Sequence, residues 1–355
     1  MRCNNIQLPS GRLRLLSQLL LMVVILGALV WYVGLNTLVV ILTKTNPSYL
    51  LLAFLAYFAI NVLFTIRIIR VLQRQGIKAT FGRTFLAHYS GMLTSDVTPG
   101  RSGYVLTPVY LKNQGIEASA SLSCILGIQS IEFLVKVLGG ALALVFLLNQ
   151  TSFTRELFWI GLIGIGLMLL GGFVLAAIIW SPRAAGLIRK VAGSKFLARF
   201  TVGVMAKLEE FGENAMKTRS AIPEIALIST LSWILKGFEW YFLGLALGIA
   251  KIGWLGFFLL HPLTTAFGFV PLTPSGIGFQ EGAIVGIFLL LGVDIRLALA
   301  FAILSRGLLL IEDLIGVPQI ARSTQHGLFA TTRLINRPTT LSDQHDMTES
   351  RTITH

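Results

Sequence analysis

The stretch Pro271 to Gly282, PLTPSGIGFQEG, constrains this chain more than any other, because it interrupts a run that is otherwise apolar from Trp254 to Leu291. Proline removes a backbone donor and clashes with the preceding turn, and glycine weakens a helix, so no helix runs through the segment unbroken. Backbone that leaves the helix at membrane depth needs protein or a water-filled cavity around it, so the break predicts a site inside a bundle. A second copy lies upstream, where Thr98, Pro99, Gly103 and Tyr104 repeat the spacing of Thr273, Pro274, Gly278 and Phe279. Farther on, Gly115-Ile116-Glu117 answers Gly292-Val293-Asp294. The two broken hairpins read as halves of one architecture.

The surrounding composition fixes the solvent. Of 355 residues, 54% are hydrophobic and 13% charged, and the mean hydropathy is +0.77, which places the chain among polytopic membrane proteins and leaves no room within it for a soluble catalytic domain. The formal charge of +13 sits beside apolar spans rather than along one stripe, so the expected partner is an anionic membrane surface and not nucleic acid. Cys3 and Cys124 lie far apart with no CxxC spacing, and the five histidines, His88, His261, His326, His345 and His355, show no metal-ligand spacing. No metal or cofactor is expected. The apolar run from Leu15, preceded by Arg12 and Arg14, continues to about Leu42 without a small-residue cleavage pattern and reads as a retained first helix.

A spanning helix needs about 20 apolar residues. Six segments qualify, at 15–36, 48–69, 118–148, 157–180, 222–250 and 296–317. Basic residues orient them, since short cytoplasmic loops carry the Lys/Arg excess. Arg2, Arg12 and Arg14 put the N-terminus in the cytoplasm, Arg67, Arg70, Arg74, Lys78 and Arg83 mark the loop after the second helix, and Arg322, Arg333 and Arg337 mark a cytoplasmic tail. The residues near 81–112 read as a re-entrant hairpin from the cytoplasm, and those near 253–292 as one from outside; if each instead crosses fully as two short helices, the inversion of the halves survives. The expected fold is therefore all-α and polytopic, with about six spanning helices and two re-entrant broken-helix hairpins in inverted repeats. Its parts are a first half at 1–150, an inverted second half at 151–322, and a disordered tail at 323–355. Within the loop from Arg183 to Arg219, Phe196, Leu197, Phe200, Val204, Leu208 and Phe211 recur at helical spacing, as in a headgroup-level helix or a short packing helix between spans. Inverted repeats with broken segments point to a transporter site near the midplane.

An ionisable group inside a span costs about 2.5 to 3.5 kcal/mol, so each needs a partner or a task. Glu132 and Lys136 share one helical face, and so do Lys236 and Glu239. Each pair is either self-neutralising or part of a charge-coupling site. Arg306 has no acid within four residues, and Asp313 on the same face lies roughly 10 Å along the axis. Arg306 is thus the first candidate to hold a phosphate or carboxylate, and Arg101 in TPGRSG the second. A helix beginning after Gly278 turns its free N–H groups toward the same place, again favouring an anion. Glu281 in its first turn is a cap, or a proton-titrating or salt-bridging group opposite Arg306.

With PLTPSGIGFQEGAIVGIFLLLGV followed by ALAFAILSRGL, the chain resembles the flippase-like membrane family that includes the transmembrane region of bacterial lysylphosphatidylglycerol synthases. Pro274, Gly276, Gly278, Glu281, Gly282, Gly292, Val293 and Arg306 match that family's second motif, and Pro99, Gly100, Arg101, Gly103 and Glu132 its first. Tyr104 stands where the family has Glu, and Phe133 and Lys136 where it has Arg and Asp. The resemblance implies movement of a lipid, often anionic or with a modified headgroup, between leaflets of the cell membrane. The fused aminoacyl-transferase domain of some relatives is not seen in this chain, so lysyl transfer is not expected from it.

The sequence thus favours a lipid translocase over an enzyme, with Arg306, Arg101, Pro274, Gly276, Gly278 and Glu281 binding substrate and Glu132, Lys136, Lys236, Glu239 and Asp313 setting charge balance or coupling. Two rivals are a membrane-embedded transferase acting on a lipid-linked substrate and a non-transporting partner of an enzyme of envelope-lipid biosynthesis. Homo-oligomerisation is compatible with each.

Overall fold

A computed structural model describes residues 27–28, 30–31, 33–98, 101–150, 155–181, 202–268, 273 and 275–323. Among them every regular element is helical. The order is α1 (Leu35–Thr43), α2 (Pro47–Arg74), α3 (Phe81–Asp96), a 3₁₀ turn (Ser102–Leu106), α4 (Thr107–Lys112), α5 (Ala118–Gln150), α6 (Arg155–Trp180), α7 (Val202–Thr218), α8 (Ile222–Ala246), α9 (Gly253–Gly268), α10 (Phe279–Leu290) and α11 (Ile295–Asp313). The polytopic all-α fold expected from composition is observed.

Four described helical stretches are long and apolar enough to cross a membrane: Pro47–Arg74, Ala118–Asn149, Gly161–Trp180 and Glu210–Ala246. α11, expected as a sixth span, carries Arg296, Arg306, Glu312 and Asp313 within its 19 residues and is the most polar of the predicted spans. The expected first helix at 15–36 lies mostly outside the described residues, as does the tail beyond Ser323. Of the stretch with two readings, 196–201 also lies outside, but α7 continues through a 3₁₀ turn into α8 and packs on α5 and α6. Ala215 and Thr218 are fully buried, and Trp180 Nε1 donates to Thr218 Oγ1 at 3.0 Å, so the described part is a packing helix.

Polarity is arranged inside out relative to a water-soluble domain. Leu55, Leu142, Val145, Ile163, Leu167, Leu170 and Phe173 are exposed on the outer surface, whereas Asn61, Arg67, His88, Asp96, Glu239, Glu281, Glu312 and Asp313 are buried. An apolar exterior with a polar interior is what a lipid solvent selects. The apolar core is built where α8, α9, α10 and α11 meet, around Trp240, Phe257, Phe288 and Phe301. Ala298, Ala300 and Ala302 are buried on α11, and such small side chains let neighbouring helices approach closely.

Both predicted hairpins are present, with helical arms at 81–112 and 253–290. Their arms end alike. Gly115 (φ 87°) and Gly292 (φ 75°) take the left-handed conformation that glycine alone adopts without steric cost, and Ile116 N and Val293 N bond back to Leu111 O (3.2 Å) and Phe288 O (2.9 Å). These are Schellman closures of a helix C-terminus. The same closure ends α2 at Gly76-Ile77 and α8 at Gly248-Ile249.

Pro262 interrupts α9 without orphaning its turn. Lacking an N–H, it leaves Phe258 O without an intrahelical donor, and Trp233 Nε1 on α8 donates to that oxygen at 2.9 Å. The break is thereby satisfied from a neighbouring helix, as membrane depth requires.

Candidate functional site

The hairpin tips meet. Ser275 N donates to Thr98 O at 2.8 Å, joining the second tip to the first through backbone. Ser275 Oγ then receives Arg101 Nε and Arg306 Nη1, each at 3.3 Å, and lies 3.5 Å from Asp96 Oδ1. Ser275 is fully buried and, like Arg101, is one of two described non-glycine residues with positive φ (50° and 56°). Such a conformation costs of order 1–2 kcal/mol and persists where the surroundings impose it.

Arg306 projects from α11 toward the second tip and is held on three sides. Its Nε donates to Glu281 Oε1 at 2.6 Å, its Nη2 to Gln280 Oε1 at 3.0 Å and its Nη1 to Ser275. Glu281 is also the cap of α10, because its Oε2 accepts from Gly278 N at 2.6 Å. The two roles considered for Glu281 are therefore held by one side chain at once. The anion expected at this helix N-terminus is supplied by the protein itself, which occupies both the dipole end and part of the arginine fork.

Across the interior, Glu132 on α5 pairs with Lys136 Nζ at 2.8 Å and with Arg67 Nη2 at 2.7 Å. Arg67 was counted from sequence among the loop arginines that orient the chain. It is instead 1% exposed inside α2, with Nη1 on Ser229 Oγ at 2.6 Å and its guanidinium 4.3 Å from the Phe64 ring centroid. Lys236 on α8 pairs with Glu239 at 2.5 Å and sits 4.5 Å from the Tyr57 ring centroid.

These groups surround one cavity. Its lining includes Tyr57, Arg67, Arg101, Glu132, Lys136, Ser229, Lys236, Trp240, His261, Gln280, Glu281 and Arg306. It offers about 140 Å³ to the centres of water molecules, room for on the order of ten waters. Six residues singled out in the sequence thus converge: Arg101, Glu132, Lys136, Lys236, Glu281 and Arg306. Gly276 (φ 67°) and Gly278 (φ 90°) shape the second tip rather than line the cavity, and Pro274 lies outside the described residues. Glu239 is buried behind Lys236. Asp313 does not face Arg306 as a partner; its carboxylate accepts from Tyr57 Oη at 3.2 Å.

The sequence missed Arg67, Ser275 and Asp96. Arg67 lies three residues before Arg70 and seven before Arg74, a spacing that hid it in their cluster. Ser275 and Asp96 carried a usable signal, since both sit in the breaks that the prolines and glycines mark.

Inward-facing charge on several helices, an apolar exterior and two touching broken hairpins define the class: a polytopic membrane protein with a polar interior cavity. The chain belongs to the lysylphosphatidylglycerol synthase TM region family, which matches residues 17–315. Among its relatives is a UPF0104 membrane protein of Pyrococcus horikoshii, 23% identical over 298 residues that cover 78% of this chain and 88% of the relative. Another, a UPF0104 membrane protein of Methanothermobacter thermautotrophicus, is 24% identical over 302 residues, with 80% and 88% covered. A shorter match, 30% identical over 76 residues, joins 21% of this chain to 23% of a UPF0104 membrane protein of Methanocaldococcus jannaschii. The protein is integral to the membrane.

Proposed function

We propose that this protein is a lipid translocase that moves an anionic, phosphate-bearing lipid between leaflets. The observation that carries the reading is the convergence of charged residues from four separate helices and both hairpins on one interior cavity. Five cations and two carboxylates line it, and counting Glu239 behind Lys236 still leaves an excess of two positive charges. An anion is the ligand such a cavity favours. Its volume suits a headgroup, with acyl chains remaining in lipid. Arg101 has no ion pair among the described residues, so a phosphate meets it directly and competes with Glu281 for Arg306.

In this reading the two hairpins belong to inverted halves, 1–150 and 151–322, that approach from opposite faces, with both termini in the cytoplasm. The shared closures at Gly76, Gly115, Gly248 and Gly292 support the repeat, each half having one long helix and one hairpin that end in the same way. Movement of one half against the other then exposes the cavity to each leaflet in turn.

The test is leaflet exchange in proteoliposomes, comparing labelled phosphatidylglycerol, a zwitterionic phospholipid and a polyprenyl phosphate. Anionic lipids are expected to exchange selectively, and Arg101→Ala to slow them about tenfold or more, the worth of a hydrogen bond to a charged group. Absence of exchange from folded protein, or equal exchange in the variant, overturns the reading. A covalently altered lipid acceptor in the same vesicles points to the transferase instead.

A further inference from the structure

Behind the cavity lies a second polar cluster whose charge has the opposite sign. Asp96 closes α3 and Asp313 closes α11, and both are buried, at 2% and 0% exposure. They are brought together because the turn after α11 packs on α3 at Gly316, where an added Cβ would fall 2.6 Å from the Tyr89 carbonyl oxygen. The two carboxylates are close charged neighbours in the interior. Tyr57 Oη, from α2, donates to Asp313, and Ser275 Oγ, from the second tip, lies beside Asp96 Oδ1.

Two observations ask for a positive ligand there. Among the described residues Asp96 Oδ2 is buried with no hydrogen-bond partner, and neither aspartate has an ion pair. Neighbouring Glu312 adds a third buried carboxylate, with Oε1 on Tyr89 and Asn61 and Oε2 without a partner among the described residues. The titratable or charged groups facing the aspartates are Tyr57 on α2, Tyr89 on α3, Arg101 at the first tip and Glu312 on α11, with Arg306 beyond Ser275 and Glu239 and Lys236 on α8 beyond Tyr57. The cations among these, Arg101, Arg306 and Lys236, all line the cavity, and none forms an ion pair with either aspartate among the described residues. Two adjacent buried carboxylates cannot both stay ionised without compensation.

We infer that Asp96 and Asp313 form a site for one monovalent hard cation, a proton or a sodium ion, held by carboxylate and hydroxyl oxygens at the junction of the two hairpin tips with α11. A shared proton satisfies the pair by joining the two carboxyls, and a sodium ion by taking oxygens from both together with Tyr57 Oη. The site goes beyond the translocase reading and stands without it. If that reading holds, the cation gains a role as coupling ion, because Asp96 borders the first tip and lies beside Ser275 of the second.

The experiment uses the purified full chain in detergent, with no lipid exchange measured. Thermal unfolding is followed between about pH 5 and about pH 8 at fixed ionic strength in potassium or sodium salt, for the unaltered protein, Asp96→Asn and Asp313→Asn. With a proton at the site, the folded chain holds a proton that the unfolded carboxylates release, so the midpoint rises on acidification by about 3 °C or more, and the Asn variants lose that rise. With sodium, a saturable rise appears at the higher pH in sodium but not potassium, and is again lost in the variants. Infrared difference spectra of the unaltered protein supply a readout that needs no variant, a protonated-carboxyl band that titrates or responds to sodium. Identical pH and sodium responses in all three proteins, or no such band and no sodium effect in the unaltered chain, overturn the inference and leave ordered water as the partner of these oxygens. Failure of lipid exchange leaves this outcome untouched.

Discussion

The two hairpin tips place the same backbone N–H in the same position and satisfy it differently. Five residues after Thr98, Gly103 N donates to Thr98 Oγ1 at 2.7 Å; five residues after Thr273, Gly278 N donates to Glu281 Oε2 at 2.6 Å. A neutral hydroxyl needs nothing further. A buried carboxylate needs a cation, and Arg306 supplies it. The difference divides the labour at the cavity: the second tip is latched by its own ion pair, whereas the first leaves Arg101 without one. The left-handed residue differs as well, since the position three after the threonine is Arg101 (φ 56°) in one tip and Gly276 (φ 67°) in the other. Each tip holds one non-glycine residue at positive φ, Arg101 in the first and Ser275 in the second, but only in the first does that residue carry a cation.

The strongest way to break the comparison is to remove the latch. Glu281→Ala leaves Arg306 buried without its counter-charge and α10 without its cap. Loss of one partner from a buried pair costs about 3–5 kcal/mol, to be read as a fall in unfolding free energy in detergent. The double variant with Arg306→Ala is expected to recover part of that loss. Additive losses would show that the ion pair does not hold the tip.

Exchanging the left-handed residues sharpens the second contrast. Gly276→Ala forces a Cβ into a left-handed position and is expected to cost about 1–2 kcal/mol, whereas Arg101→Gly relieves strain and leaves stability unchanged or slightly raised. In the proposed translocase their effects on exchange reverse, Arg101→Gly being the more damaging. A destabilised Arg101→Gly would mean that the arginine supports the tip rather than the cavity.

What the sequence made legible follows from what its residues do to a helix. Pro99, Gly103, Pro274 and Gly278 break helices wherever the chain places them, so the two breaks were readable from sequence. Glu132, Lys136, Lys236 and Glu239 declared themselves because charge inside an apolar span is expensive, and each pair sits on one face by helical spacing alone. Contacts between segments distant in sequence were not readable. No local pattern says that Arg67 reaches Glu132, that Ser275 bonds Thr98, or that Asp313 turns to Tyr57 and Asp96 and away from Arg306. Arg67 also shows how one signal masks another, since a buried arginine close to a helix end looks the same in a count of loop charges as an orienting one. Tyr104 illustrates substitution within a network: where the family has Glu, its Oη meets His88 Nδ1 at 3.1 Å, and His88 Nε2 meets Asn61 Oδ1 at 3.0 Å. The site's polarity there is carried by neutral groups.

The smallest expected effect tests the neutral cap directly. Thr98 Oγ1 donates to Thr94 O at 3.0 Å and accepts from Gly103 N, so it joins the end of α3 to the turn that follows. Thr98→Val keeps the shape and removes the acceptor, leaving Gly103 N short of a partner in a half-buried turn. The cost is about 1 kcal/mol, within the range of lost helix caps and single neutral hydrogen bonds, and Thr98→Ser is expected to restore most of it. Denaturant midpoints of the three proteins at equal slope give the comparison. Set beside Glu281→Ala, the result measures how much more the charged cap contributes than the neutral one at the same backbone position. A Thr98→Val loss as large as that of Glu281→Ala would show that both tips are latches, and the asymmetry that frees Arg101 for a ligand would have to come from elsewhere in the cavity.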